Sequence, residues 1–174
     1  MKKGFILLVF LSSILYAAGL TFQPLDGDED SQSYQFYLNN KPVAVIKVND
    51  SGWVTYVKGR IPNGKALYAN DKGLKVAVWP FSSGLANGAY QEYSVEGDVT
   101  KIINYQAGQR QGVYKEFWEE GVPHIVANYS KGRLHGRYKE YDEEGKRIRE
   151  DEYVNGVVHQ NLYFLKNLYK ENQE

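Results

Sequence analysis

The chain has 174 residues, with 21 Lys plus Arg, 21 Asp plus Glu and a formal net charge of zero. Such a chain has no strong field that would draw it to DNA or RNA, so nucleic acid is not an expected partner. It contains no cysteine, which excludes disulfides, thiolate metal sites and thiol redox chemistry. The 15 Tyr and 17 Gly indicate aromatic strands that are broken by glycine turns.

Residues 1–19 have the features of an export signal. A pair of lysines forms a short positive head, a mostly apolar run extends to Tyr16, and small residues follow. Cleavage between Gly19 and Leu20 places small side chains at both recognition positions, so we predict this site and a periplasmic or secreted protein. A membrane anchor is the alternative, but the run is short for the ~20 residues of a span. Without cysteine, the protein is not expected to be a lipoprotein.

The next two segments differ in residue composition and pattern. Residues 20–33 are polar, with acidic side chains between Asp26 and Asp30. They predict a solvated N-terminal arm, with a calcium-binding loop as the alternative. From Tyr34 the pattern becomes strand-like, with a tight turn at Asn39–Pro42. Residues 34–62 are therefore predicted to form an opening hairpin and a degenerate cap.

From residue 63 to residue 159 the sequence repeats every 24 residues, in units that start near residues 64, 88, 112 and 136. Aromatic residues and glycines recur in columns along these units. The clearest columns are Gly64, Gly88, Gly112 and Gly136; Gly73, Gly97, Gly121 and Gly145; Gly84, Gly108, Gly132 and Gly156; Tyr90, Tyr114 and Tyr138; and Tyr105, Tyr129 and Tyr153. Each unit predicts one β-hairpin, because glycine tolerates the positive φ of a turn and aromatic residues favour strands.

The repeats predict how the hairpins assemble. A single hairpin is marginally stable in water, so neighbouring units must stack and bury each other's aromatic rows. The predicted fold is all-β: an elongated, twisted antiparallel sheet of stacked 24-residue β-hairpin repeats. Residues 160–174 depart from the pattern, since Gln160 replaces a glycine, and are predicted to be a degenerate repeat and a C-terminal cap with a charged tail.

Three stretches of the repeats carry a resemblance to a known family. Asn87-Gly-Ala-Tyr-Gln-Glu-Tyr, Gly112-Val-Tyr-Lys-Glu-Phe and His135-Gly-Arg-Tyr-Lys-Glu-Tyr resemble the MORN repeat, especially the bacterial MORN-2 repeat of YwqK-type proteins. The resemblance covers about 63 to 165. It implies β-hairpin repeats that bind proteins or, in some eukaryotic members, associate with lipid. Some bacterial members are labelled antitoxins, a role that export would argue against here.

Motifs typical of enzymes are missing from the sequence, which has no Gly-x-Ser-x-Gly elbow, phosphate-binding loop or His-Glu-x-x-His helix. We therefore expect a protein that is not an enzyme and uses no cofactor or metal. The recurring Glu92, Glu116 and Glu140 predict a ladder of carboxylates with Lys115 and Lys139 beside them. Such a ladder could bind a cation or a basic ligand, or could simply pair charges across strands.

Trp118 is the best candidate for a binding surface. Its equivalents in the neighbouring repeats are Ser94 and Asp142, which predicts that the fold does not need a tryptophan there. Exposed aromatic rows and open sheet edges also allow self-association.

These features predict an exported, non-enzymatic β-repeat protein that acts as a protein-interaction or scaffold module in the bacterial cell envelope. Its expected partner is another envelope protein. A membrane- or glycan-associated surface protein is one alternative, because aromatic rows can stack on headgroups or sugar faces. An antitoxin-like YwqK-type protein is the other alternative, if the chain is not exported.

Overall fold

A computed structural model describes residues 19–28, 31–49, 54–70 and 72–161. These parts are almost entirely β-strand and contain no α-helix. The strands form one long mixed sheet that does not close on itself, which confirms the prediction of an all-β, elongated and twisted sheet. Residues 1–18 of the predicted export signal lie outside the described residues, as do residues 162–174 of the predicted tail.

In chain order, the described strands are β1 (Leu20–Asp28), β2 (Ser31–Leu38), β3 (Lys41–Asn49), β4 (Val54–Gly59), β5 (Gly64–Ala69), β6 (Lys75–Ser82), β7 (Leu85–Ala86), β8 (Gly88–Tyr93), β9 (Val99–Gln106), β10 (Gln109–Phe117), β11 (Pro123–Ser130), β12 (Arg133–Leu134), β13 (Gly136–Tyr141), β14 (Arg147–Val154) and β15 (Val157–Asn161). A 3₁₀ turn, Glu119–Gly121, joins β10 to β11.

The sheet grows in two directions from its middle. From β5 to β15 it is an antiparallel meander, with the short strands β7 and β12 to one side. The first four strands join it through β1, where Thr21 pairs in parallel with Leu67 of β5. This junction makes the sheet mixed, because the chain returns to β1 after building β2, β3 and β4 on its other side.

The link between β4 and β5 requires the first strands to curl over the sheet. In a flat sheet β1, β2 and β3 would hold the two strands about 19 Å apart. The link from Gly59 to Gly64 reaches at most about 18 Å, and the two ends are also offset along the strands. Phe36 of β2 accordingly packs on Phe81 of β6, with ring centroids 5.0 Å apart.

The main hydrophobic core lies between the curled strands β1 to β3 and the strands β5 to β9. Alternate residues of each strand face it, as in β3, where every second residue is buried. The buried residues include Phe22, Phe36, Ile46, Ile61, Trp79 and Phe81. Further along the meander, Ala127 is buried outside this cluster.

Residues 20–28 and 31–33 lie in strands β1 and β2, so the prediction of a solvated arm was wrong. Leu20 is 8% exposed and Phe22 is 3% exposed, both within β1. The strand alternates these apolar residues with the polar Thr21 and Gln23, a pattern that a half-buried strand requires. The acidic residues that suggested an arm come after this alternation. The opening hairpin is as predicted, with Asn39 and Asn40 at positive φ in its turn.

The pairing register of the meander recurs every 24 residues. Tyr90 lies opposite Ile103, and Tyr114 opposite Ala127. In the first unit the sizes are exchanged, since the small Ala66 lies opposite the large Trp79. The Ala66–Trp79 and Tyr114–Ala127 pairs thus each place one aromatic ring and one alanine on the inner face, with the order reversed between them. This exchange explains why the first unit looks degenerate in sequence.

The hairpin turns follow the predicted chemistry. Gly97, Gly121 and Gly145 all have positive φ, which a turn needs and which glycine adopts without steric cost. Two of the turns are also held by a side chain at their first residue. Ser94 Oγ accepts hydrogen bonds from two backbone N–H groups, and Asp142 Oδ1 accepts one from Lys146.

Candidate functional site

The curled strands leave a groove between themselves and β6, β8, β9 and β10. We define the groove by six residues that line it, which are Tyr34, Trp79, Tyr90, Glu92, Lys101 and Arg110. It consists of two adjoining cavities of about 220 and 260 Å³ that share Tyr34, Tyr90 and Glu92 as walls. Together these cavities have the size of an ordinary small-molecule site, which is ~300–1,000 Å³.

Aromatic rings form the walls of the groove. The Trp79 side chain is buried at its base, and Tyr34 and Tyr90 pack edge-to-face against it, with centroids at 5.4 and 5.2 Å. This geometry suits the ring quadrupoles and holds the rings in fixed orientations. Both tyrosines stay partly exposed, so the groove offers rigid aromatic surface to a ligand.

The recurring Tyr-x-Glu motif has a direct structural explanation. Residues two apart on a strand face the same side of the sheet, so each tyrosine lies beside the glutamate of its own strand. Tyr90 Oη donates a hydrogen bond to Glu92 Oε1 at 2.7 Å, and Tyr114 Oη donates one to Glu116. Tyr138 Oη donates to Glu140 Oε2 at 3.3 Å. The glutamate column is therefore oriented by tyrosine hydroxyls along the inner face.

Lys101 connects two of these glutamates. In the register of β8, β9 and β10 it lies opposite both Glu92 and Glu116. Its Nζ atom is 3.6 Å from Glu92 Oε2 and 3.1 Å from Glu116 Oε1. One ammonium group thus bridges two carboxylates and offsets half of their combined charge.

The prediction that Lys115 and Lys139 lie beside the glutamate ladder was wrong. Each is adjacent in sequence to its glutamate, and adjacent residues of a strand face opposite sides of the sheet. The cations that contact the ladder come instead from the second strand of a hairpin. They are Lys101 and, at the far end, Arg149, whose Nη1 atom is 4.0 Å from Glu140 Oε2.

Lys101 and Glu116 hold each other in their ionised forms. Burial alone would lower the pKa of Lys101, but Glu92 and Glu116 outweigh it and raise the pKa. Burial alone would raise the pKa of Glu116, but hydrogen bonds from Tyr114 and Lys101 outweigh it and lower the pKa. Burial and the Glu92 carboxylate raise the pKa of Tyr90, so its hydroxyl remains a donor at neutral pH.

Two donors of the groove lack a protein acceptor. Among the described residues, no group accepts a hydrogen bond from the indole N–H of Trp79 or from Nε of Arg110, although both atoms are buried. The Arg110 guanidinium instead lies over aromatic rings, 5.4 Å from the Tyr129 centroid. Leaving a buried donor unsatisfied costs ~1–3 kcal/mol, so these two atoms suggest that the groove accommodates an acceptor from elsewhere.

Trp118 lies away from the groove and packs against the fold. Its indole Nε1 donates a hydrogen bond to the carbonyl oxygen of Tyr141 at 2.9 Å, and its ring stacks on His124 with centroids 3.8 Å apart. It therefore connects one hairpin to the next, and its role as a binding surface stays a prediction. Ser94 and Asp142 accept hydrogen bonds from the backbone of their turns, and a tryptophan side chain cannot do so. At Trp118, the packing on His124 and the hydrogen bond to Tyr141 take the place of those hydrogen bonds.

A second charged cluster lies in the last hairpin, at some distance along the sheet. Glu150 and Asp151 are each 1% exposed. Arg147 Nη1 lies 2.9 Å from Glu150 Oε2, and Arg149 Nε lies 2.6 Å from Asp151 Oδ2. The equivalent positions of the preceding hairpins are apolar. This cluster replaces apolar packing by paired charges and does not border the groove.

In the described parts of the chain, no three His, Asp or Glu side chains come together as metal ligands would. Within the same residues, the structure has no helix with the length and apolar character that crossing a membrane requires. The predicted cleavage site lies at the border of the described region, where Gly19 precedes β1 and Leu20 is its first residue.

The chain matches no model of a known protein family, and no curated protein is found to be similar to it. The resemblance to MORN-2 repeats therefore stays a prediction.

Sequence reasoning found one residue of the groove, Glu92, and missed its partners. Lys101 and Arg149 lie two 24-residue repeats apart in sequence, which was a usable signal, because both occupy the position opposite the glutamate column. Tyr34 and Trp79 had no such signal, since only the curl of the first strands brings them together.

Proposed function

We propose that this protein is an exported, non-enzymatic recognition module of the cell envelope that binds its ligand in the groove. The observation that carries the proposal is the coincidence of rigid aromatic walls, a fixed Glu92–Lys101 pair and the unpartnered donor of Trp79 in one cavity. Convergent polar groups within an aromatic cavity are typical of ligand sites.

Binding fits the electrostatics better than catalysis does. Glu92 and Glu116 both contact Lys101, so two carboxylates lie close together, as in a glycosidase. Glycosidases need one carboxyl with a raised pKa to act as the acid. Here hydrogen bonds from Tyr114 and Lys101 lower the pKa of Glu116, which is the opposite of what a catalytic acid needs. Glu116 can therefore orient a ligand but has no proton to give at neutral pH.

Export is the second part of the proposal. The apolar N-terminal run and the small residues before Leu20 support it. The first strand begins at Leu20, so cleavage after Gly19 would leave every described strand intact. Fractionation of the native producer with mass spectrometry of the N-terminus tests this part. We expect a chain that begins at Leu20 in the envelope or periplasmic fraction, and an intact Met1 in the cytosol would refute it.

Hydrogen exchange tests recognition by the groove. The folded mature protein is incubated in deuterated buffer with and without an extract of the producer's envelope. We expect slower exchange in β6, β8 and β9, the strands that carry Trp79, Glu92 and Lys101. Unchanged exchange in these strands would refute the proposal. Protease treatment of the extract separates the two partner classes, since only a protein partner is lost.

A further inference from the structure

We infer that the ligand of the groove is a saccharide that carries a carboxylate. This inference rests on the proposed function, because it names the ligand class of the same site. The reasons are the shape of the walls, the mixture of donors and acceptors, and the Nε donor of Arg110, which has no acceptor among the described residues.

The aromatic walls suit the apolar faces of sugar rings. A pyranose presents axial C–H groups on its faces, and these pack on the π-surface of an aromatic ring. Tyr34 and Tyr90 both border the two adjoining cavities, so they can contact successive rings of a short saccharide. Trp79 fixes both tyrosines by edge-to-face contacts, so little side-chain entropy is lost on binding.

The polar groups suit hydroxyls, which donate and accept at once. Glu92 supplies an acceptor, and Lys101, Arg110 and the Trp79 indole supply donors. A peptide in extended conformation is less well matched. The groove lies over the face of the sheet, where the backbone groups of β8, β9 and β10 already pair with each other.

The Arg110 guanidinium favours one acidic group on the ligand. Lys101 is committed to Glu92 and Glu116, with contacts of 3.6 and 3.1 Å. The Arg110 guanidinium interacts with the Tyr105 hydroxyl and with the rings of Tyr114 and Tyr129, but its Nε atom has no acceptor among the described residues. A ligand carboxylate would give this guanidinium a charge-assisted hydrogen bond, which is about twice as strong as a neutral one.

The experiment compares two disaccharides that differ mainly in a lactyl carboxylate. N-acetylglucosaminyl-N-acetylmuramic acid carries it, and di-N-acetylchitobiose is the neutral counterpart. Calorimetric titration of the mature protein should show binding of the acidic disaccharide at least about tenfold tighter than that of the neutral one. Equal affinity for the two, or binding of neither, overturns the inference.

Variants assign the binding to the groove. Arg110→Gln should abolish the preference for the acidic disaccharide, and Trp79→Phe should weaken both because it removes the indole donor. Lys115→Gln, on the opposite face, is the matched control and should leave both affinities unchanged. Circular dichroism of each variant checks that it is folded. Arg110 is partly exposed, so Arg110→Gln keeps the test decisive if Trp79→Phe disturbs the core.

The outcomes also distinguish this inference from the proposed function. If neither disaccharide binds but envelope extract still slows exchange in β6, β8 and β9, the recognition proposal stands and the saccharide inference fails. Loss of that effect after protease treatment would then indicate a protein ligand. If the extract has no effect and neither disaccharide binds, both fail.

Discussion

Replacing Lys101 by methionine is the most informative perturbation of the inner face. Methionine keeps much of the apolar stem and removes the ammonium that contacts Glu92 and Glu116. Two carboxylates are then left facing each other without a cation between them. The substitution thus tests whether the glutamate ladder depends on the second strand of the hairpin.

The structure sets the expected size of the effect. The Lys101 side chain is 29% exposed, and those of Glu92 and Glu116 are 35% and 22% exposed. Exposed ion pairs contribute about 0.2–1 kcal/mol, and breaking a buried pair costs about 3–5 kcal/mol. Because these groups lie between the two cases, Lys101→Met should lower the free energy of unfolding by about 2 kcal/mol.

Urea unfolding followed by circular dichroism measures this loss, and Lys115→Met is the matched control. Lys115 is exposed on the opposite face, so its replacement should change stability by less than about 0.5 kcal/mol. A double-mutant cycle with Glu116→Gln should also reveal coupling between Lys101 and Glu116. Equal effects of the two lysine substitutions, with no coupling, would refute the electrostatic account.

Three further predictions concern the turns, Trp118 and alkaline pH. In urea unfolding, Gly59→Ala should lower the free energy of unfolding at least twice as much as Gly97→Ala. The reason is that a Cβ added at residue 59 would lie 2.1 Å from a backbone oxygen, whereas one added at residue 97 would meet no atom within 4 Å. Trp118→Phe should lower the free energy of unfolding, measured by thermal melting, by ~0.5–1.5 kcal/mol because the hydrogen bond to Tyr141 is lost. An unchanged free energy of unfolding would contradict a contribution of this hydrogen bond to stability. Burial and the neighbouring Glu140 carboxylate raise the pKa of Tyr138 from 10.0 to about 12. The free energy of unfolding should therefore be unaffected by this group below pH 10 and should fall between pH 10 and 12. The fall should be smaller in Tyr138→Phe.

Local chemistry made much of the meander predictable from sequence. Glycine at a turn and aromatic residues on strands act over a few positions, so Gly97 and Gly145 located their hairpins correctly. The Tyr-x-Glu motif also follows from local geometry, because residues two apart share a face. The neighbouring Lys115 was misplaced only because this period of two was not applied to it.

The curl of the first strands could not be predicted in the same way. It depends on contacts between distant segments, such as Phe36 with Phe81, and on the parallel junction of Thr21 with Leu67. The acidic residues that follow β1 also hid its alternating pattern. Since the groove exists only because of this curl, its walls Tyr34 and Trp79 could not be paired from sequence.

The same limit applies to Trp118. Comparison of repeats showed that neighbouring units lack a tryptophan there, which suggested a free surface residue. The hydrogen bond to Tyr141 crosses from one hairpin to the next, and no repeat equivalent exists from which it could be inferred.

The indole N–H signals of the protein in NMR spectra test the central claim most directly. Trp79 is identified by the loss of its signal in Trp79→Phe, and Trp118 by the loss of its signal in Trp118→Phe. The account predicts that adding envelope extract moves the Trp79 signal, whose donor lacks an acceptor among the described residues. The Trp118 signal should stay in place, because its donor is bound to Tyr141. A response of Trp118 with no change at Trp79 would contradict the assignment of the groove as the recognition site.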